Sequence, residues 1–472
     1  MCGVAAARGR ADACLALDAL AHRGPDARGA VRLGDVTLAH TRLAILDLDA
    51  RSDQPFRAGD TWVSYNGELW NHAQLRELLE ERGRAFHTSG DTEVVATALD
   101  EWGEDALPLM NGMFALAWTD GETLRAARDR YGEIPLHLAR PEGAVVVASE
   151  LKALAAMTGG RVQAEWVLPG EVVTAGPAGF TRRAWYDLPA VPAALTPEDA
   201  LERLRRLLER GCRERAISDV PVCALLSGGV DSSAILLHLR EHVPGLVAFT
   251  AVLDERSRDL RCARQVARSL DVELVEVPVD PPDAADLAGV VDAIEMPHKA
   301  QVEIGWACLA LAREMRRQGL KVVFSGEGSD ELWGSYGFAY HATREPGHDW
   351  HRYRRDLFLG QHRKNFARCN KVFLAHGVEC RLPFLHPSLV EFAMGVPAAL
   401  CYERRPVEKR LIRDAYEGLL PREVTRRPKQ AFQDALGLKD LIAATLPDAR
   451  AAYAAEYRRA FGSRNQLTLE LA

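Results

Sequence analysis

A cysteine stands at position 2, behind only the initiator methionine, in MCGV. Methionine removal before a small second residue would leave Cys2 with a thiol and a free α-amine, so that nucleophile and base belong to one residue. Two further stretches have the types and spacing for chemistry. LLSGGVDSS, Leu225 to Ser233, follows an apolar run and leads into the helical AILLHLREH. Two glycines let successive backbone N–H groups approach an anion, and the helix N-terminus adds a favourable dipole, so phosphate is the natural guest. About a hundred residues on, VVFSGEGSDELWGSY again runs from a buried strand into a Gly-rich acidic loop. In an open parallel sheet both loops would lie at strand C-termini and face one ligand. Asp231 and Asp330 are then suited to hold Mg2+ through one or two carboxylates, with phosphate oxygens and water completing the shell. Either aspartate alone would read as a helix N-cap.

The elements that must position these residues differ between the two halves. Residues 1 to about 186 alternate short β-like runs (VRLGDVTLAH, TWVSYNGEL, FALAWTD, AVVVASE) with turns, and carry helical stretches near 71–84 and 92–106, which predicts stacked antiparallel sheets with helices. From about 197, amphipathic helices alternate with buried-strand runs (PVCALLS, LVAFTAVL, KVVFSG), which predicts an α/β domain with a parallel sheet. The expected boundaries are 1–186 and 199–472, joined by a proline-bearing linker at 187–198.

Composition narrows the class. Hydrophobic residues at 47% and charged residues at 26% describe a globular chain, and a net charge of -7 with pI near 6.1 gives no general attraction to nucleic acid or anionic membrane. No apolar run approaches membrane-spanning length, and nine cysteines without a CxxC pair read as reduced thiols, so a cytoplasmic enzyme is expected. Only eight of the 59 basic residues are Lys, which makes each Lys informative.

The motifs taken together resemble one family. LLSGGVDSS is similar to the pyrophosphate loop of ATP pyrophosphatases, and MCGV, AHRGPD, HTRLAILDL, YNGELWN, SGDTEV, MNGMFALAW, RDRYGEIPL, ASELKAL, FSGEGSDE, AHGVECRLPFL and RRPKQAF run in the order of glutamine-dependent asparagine synthetases. The resemblance implies an N-terminal nucleophile (Ntn) hydrolase-like αββα four-layer domain, a class II glutamine amidotransferase. An α/β domain of the ATP-pyrophosphatase (adenine nucleotide alpha hydrolase-like) type would follow it. Cys2 would attack the glutamine amide, with Asn66 and Gly67 as the oxyanion hole, Arg42 clamping the α-carboxylate, and Glu68 with Asp91 meeting the ammonium. Ammonia would cross an internal tunnel to a second site, where ATP activates an acceptor carboxylate as an acyl adenylate with release of pyrophosphate. There the resemblance assigns the adenine site to Leu225 and Ala251. Pyrophosphate falls to Ser227, Gly228, Gly229, Asp231 and Ser232, further nucleotide contacts to Ser325 and Gly326, the general base for ammonia to Glu327, and charge stabilisation to Lys429. Family analogy also suggests a homodimer. Lactam synthetases of similar fold carry Tyr at the Glu327 position and lack the N-terminal Cys, so the chain departs from them.

It departs from asparagine synthetases as well. Where they carry a stretch like ETYDVTTIRAST, this chain has EMPHKAQVEIGW, so Ala300 and Gln301 replace threonines and Glu303 replaces the arginine implicated in holding aspartate. Like charges at 4 Å cost about 4 kcal/mol at an effective dielectric near 20. Phe373 and His386 also depart from the family's Met and Asp. The acceptor pocket is expected to include Gln301, Glu303, Phe373 and Glu379, and to take a specialised-metabolism carboxylic acid rather than aspartate. Two alternatives stay open: asparagine synthesis with a rewired pocket, and a glutaminase whose second half has decayed.

Overall fold

The computed structural model describes residues 1–160, 163–335, 349–401, 408–426, 438–446 and 448–461. Lys429 lies outside the described residues.

Two six-stranded sheets occupy the N-terminal half. The first runs β10-β8-β9-β1-β3-β2, from β1 (Gly3–Gly9), β2 (Ala27–Leu33), β3 (Val36–Arg42), β8 (His137–Ala139), β9 (Ala144–Ala148) and β10 (Ala164–Trp166). The second runs β12-β11-β7-β6-β5-β4, from β4 (Phe56–Ala58), β5 (Thr61–Leu69), β6 (Gly112–Thr119), β7 (Leu124–Arg128), β11 (Glu171–Gly176) and β12 (Gly179–Ala184). Strand β1 packs across β5 and β6, so its small residues Val4 to Ala7 are fully buried between the sheets. Helices α1 (His72–Glu80) and α2 (Asp91–Trp102) cover the second sheet and α3 (Leu151–Thr158) the first, which completes the expected four-layer αββα arrangement.

The C-terminal half is built on one parallel sheet, β15-β14-β13-β16-β17, from β13 (Val222–Leu225), β14 (Val247–Val252), β15 (Glu273–Pro278), β16 (Val322–Phe324) and β17 (Glu379–Arg381). Around it lie α4 (Pro197–Arg215), α5 (Val230–Leu239), α6 (Arg258–Leu270), α7 (Ala284–Ile294), α8 (Lys299–Arg317), α9 (Ser329–Trp333), α10 (Trp350–Leu359) and α11 (Asn365–Leu374). Helix α4 starts where its sequence directs: Thr196 caps the N-terminus by accepting from the Asp199 N–H at 3.2 Å, with Pro197 following. All nine cysteines are free thiols, and among the described residues no helix is long and apolar enough to cross a membrane.

Candidate active sites

The first site gathers around Cys2. Met1 is present in the structure, buried, with its α-amine donating to Glu379 at 2.7 Å. The Cys2 N–H donates to Asn66 Oδ1 at 2.7 Å, and its thiol lies 3.9 Å from the Leu43 carbonyl. Burial pushes the Cys2 thiol above its ordinary range, against the pull of the nearby α-amine, so it would need a base to act as a nucleophile. Alternation along β5 sends Asn66 and Glu68 to one face. Between them, a Cβ at Gly67 would meet the Met113 carbonyl oxygen at 2.2 Å, so only glycine fits that close strand pairing. Asn66 Nδ2 and Glu68 Oε2 are buried and have no hydrogen-bond partner, which is the state of groups shaped for a ligand. Burial, with Glu379 and Asp91 nearby, raises the Glu68 carboxyl well above its usual range, so a cation there would be welcome. Asp91, in the first turn of α2, accepts from the Tyr65 hydroxyl at 3.0 Å and the Leu69 N–H at 2.9 Å. Arg42 is bound up in its own loop, donating to Asp53 at 2.7 Å, to the Asp49 carbonyl at 2.8 Å and to the Asp47 carbonyl. A substrate carboxylate would have to exchange with those partners.

The second site is a cavity of about 690 Å3 at the C-terminal ends of β13, β14 and β16. Leu225, Ser227, Asp231, Ser232, Ala251, Ser325, Gly326, Glu327 and Asp330 all line it. Gly228, at φ +71, and Gly229, capping α5, close the loop behind them; a Cβ at Gly228 would meet the Asp259 carbonyl oxygen at 2.4 Å. Asp231 and Asp330 converge on one buried cation, the ammonium of Lys409, 2.5 Å from Asp231 Oδ2 and in contact with Asp330. Ser329 donates to Asp231 at 2.6 Å. Two carboxylates that already gather round a single positive charge fit a divalent ion that keeps water and phosphate in its shell. Sequence reasoning missed Lys409, although the scarcity of Lys that singled out Lys429 applies to it equally.

Two of the four expected acceptor residues, Gln301 and Phe373, line this cavity. The other two do not. On α8 the cavity faces Gln301, Ile304, Cys308 and Leu311, a helical row that leaves Glu303 off to one side. Glu303 is buried instead beside Lys299, 3.3 Å away, and near Tyr453 of the Ala449–Phe461 helix. The expected charge repulsion against aspartate therefore does not act at the cavity. Glu379 lies opposite Val322, the first residue of β16, whereas the cavity opens after its last, so the glutamate sits at the far end of the sheet beside Cys2. His386 is likewise structural, buried with Nε2 2.9 Å from Glu214, which also accepts from Asn111 at 3.1 Å.

Between the sites runs a buried polar seam unseen in the sequence. Arg23 of AHRGPD donates to the Cys2 carbonyl at 3.0 Å, to Glu150 at 2.7 Å and to Asn370 at 2.8 Å. Asn370 belongs to α11, whose Arg368 reaches the second cavity. Next to it, Lys371 pairs with Glu295 at 2.5 Å, and Arg381 bonds Glu379 at 2.7 Å.

Fold and sites together define an Ntn-type glutamine amidotransferase half joined to an ATP-pyrophosphatase-type half. The glutamine amidotransferase domain model matches residues 1–170, and the asparagine synthase model matches 203–372 and 347–464. An asparagine synthetase [glutamine-hydrolyzing] of Triphysaria versicolor is 33% identical over 93% of this chain and 78% of its own length. Asparagine synthetase B [glutamine-hydrolyzing] of Escherichia coli is 32% identical over 90% and 80%. A solved glutamine phosphoribosylpyrophosphate amidotransferase of B. subtilis shares 18% identity at a TM-score of 0.37, over 60% of this chain and 82% of that one. The chain belongs to the glutamine-hydrolysing asparagine synthetase family of carbon-nitrogen ligases.

Proposed function

We propose that the protein hydrolyses glutamine at Cys2 and uses the ammonia to amidate a carboxylic acid that it first activates with ATP. The observation that carries this reading is the pairing of a buried N-terminal cysteine, beside the unpartnered Asn66 Nδ2, with a separate cavity lined by both Gly-rich loops. In the first half-reaction, loss of Met1 frees the Cys2 amine to take the thiol proton. The sulfur attacks the amide carbon, and Asn66 Nδ2 with the Gly67 N–H stabilises the oxyanion. Glu68 and Asp91 receive the glutamine ammonium, and Arg42 exchanges loop partners for its carboxylate. Met1 Sδ lies 3.2 Å from Asn370 Nδ2, so excision also vacates space leading from Cys2 toward α11.

In the second half-reaction the α5 loop, with Ser227 and Ser232, cradles the triphosphate, and Leu225 and Ala251 flank the base. Asp231 and Asp330 would hold Mg2+, which neutralises phosphate charge when bound. The acceptor carboxylate attacks the α-phosphate, and Glu327 takes the proton from ammonia as it attacks the resulting acyl adenylate. Lys429 is the family candidate for stabilising that charge.

The acceptor on this reading is a specialised-metabolism acid other than aspartate, because Ala300 and Gln301 stand on the cavity wall where the resemblance leads one to expect threonines. Asparagine synthesis is the second reading, favoured by Arg368, a cation already on that wall. Glutamate, AMP and pyrophosphate measured with glutamine, ATP, Mg2+ and single acids test both. Acid-dependent pyrophosphate matched by glutamate supports the scheme, and efficient asparagine formation from aspartate would sink the non-aspartate acceptor.

A further inference from the structure

The polar groups beside Glu327 are engaged with one another rather than with open space. Arg368, buried, donates through Nη1 to Gln301 Oε1 at 2.7 Å and through Nη2 to Glu327. Gln301 Nε2 donates to Asn365 Oδ1 at 2.9 Å, and Asn365 Nδ2 donates to Glu331 at 3.0 Å. The charges of Arg368 and Glu327 cancel, and both ends of the Gln301 amide are used. Among the described residues, Nε of Arg368 is buried without a hydrogen-bond partner. What remains on this part of the wall is apolar: Ile304, Cys308 and Leu311 from α8 face Cys369 and Phe373 from α11. Burial pushes the Cys308 thiol up to about 12, which marks surroundings poor in water.

We infer that the acceptor is a carboxylic acid with an apolar body, aryl or branched alkyl, and no α-ammonium group. The inference rests on the proposed function and names the substrate class of its second site. An α-amino dicarboxylate would bring a second carboxylate and an ammonium against a wall whose ion pair is closed and whose other surface is hydrocarbon and thiol. On that apolar stretch, among the described residues, each would be desolvated without a counter-charge. An apolar body loses water at no such cost, and one carboxylate oxygen can take the spare Nε donor of Arg368. His298 and Lys364 line the same cavity and would meet any polar group of the acceptor that reaches beyond the apolar stretch.

The test uses the full chain with glutamine, ATP and Mg2+, and reads initial pyrophosphate release with 3-phenylpropionate, 4-methylpentanoate, succinate and aspartate. The apolar acids should exceed aspartate and succinate in kcat/KM by about tenfold or more. Ile304→Asn should cut that advantage, with glutamine hydrolysis as the check that the variant has folded. Aspartate or succinate turning over as well as the apolar acids overturns the inference and leaves the proposed function standing. If none of the four elicits pyrophosphate, even with ammonium salts supplied, while glutamine is still hydrolysed, the proposed second half-reaction fails and the inference falls with it.

Discussion

The surroundings of Cys2 and the wall beside Glu327 are both buried and polar, yet they treat hydrogen-bonding capacity in opposite ways. Around Cys2, Asn66 Nδ2 and Glu68 Oε2 are held by strand geometry with nothing to bond, at the expense of folding. Beside Glu327, the side chains of Arg368, Gln301, Asn365 and Glu331 bond one another in series, with the Arg368 Nε left over. The first arrangement suits one polar substrate recognised by fixed donors and acceptors. The second leaves shape and apolar contact to do the selecting, so it can change acceptor while the chemistry nearby stays put.

The contrast can be broken at several points, from the largest effect down. Cys2→Ala should abolish glutamine-dependent pyrophosphate release and leave ammonium-dependent release intact; loss of both would contradict two separate sites. Asn66→Ala removes the waiting donor and should lower kcat for glutamine hydrolysis by about 10²–10³-fold with little change in KM. Lys409→Met leaves Asp231 and Asp330 facing each other without their cation. We expect about 3 kcal/mol lost in chemical unfolding, partly restored by added Mg2+.

A smaller effect concerns the contact that joins the halves at Glu214. Burial alone would raise its carboxyl, but hydrogen bonds from His386 and Arg210 hold it at about 2, below the ordinary 4.5. A depressed carboxylate stabilises the fold fully above 4.5 and loses that contribution as pH falls toward 2. Glu214→Gln should flatten the acid limb of the stability curve by a few tenths of a kcal/mol, since the side chain is partly exposed and screened. Smallest of all, Glu303→Arg should produce no gain in aspartate use. A marked gain would mean that position 303 does reach the cavity.

Much of this was legible in residue order. LLSGGVDSS and FSGEGSDE announce a strand, a tight loop and a helix within a few residues, because the glycine requirement and the N-terminal dipole are local. The alternation in YNGEL likewise puts Asn66 and Glu68 on one face without reference to anything distant. Arg23, Glu150, Asn370 and Glu379 were not legible as a group, because their partners lie 127 to 378 residues away along the chain. Glu303 misled for a related reason. An ungapped comparison preserves position but not the rotation of α8 against the cavity.

The sequence by itself determined the two kinds of sheet, the two Gly-rich loops after their strands and the placing of a cysteine next to the chain's first residue, since each follows from local backbone preference and short-range periodicity. Only the tertiary structure decided which carboxylates meet which cations. Lys409 satisfies both loop aspartates, Glu379 reaches the N-terminal amine rather than an acceptor, and Arg368 spends its charge on Glu327. Those choices depend on how helices and strands distant in sequence are turned toward one another when the core closes, and hydrophobic packing, not the spacing of charged residues, sets that rotation.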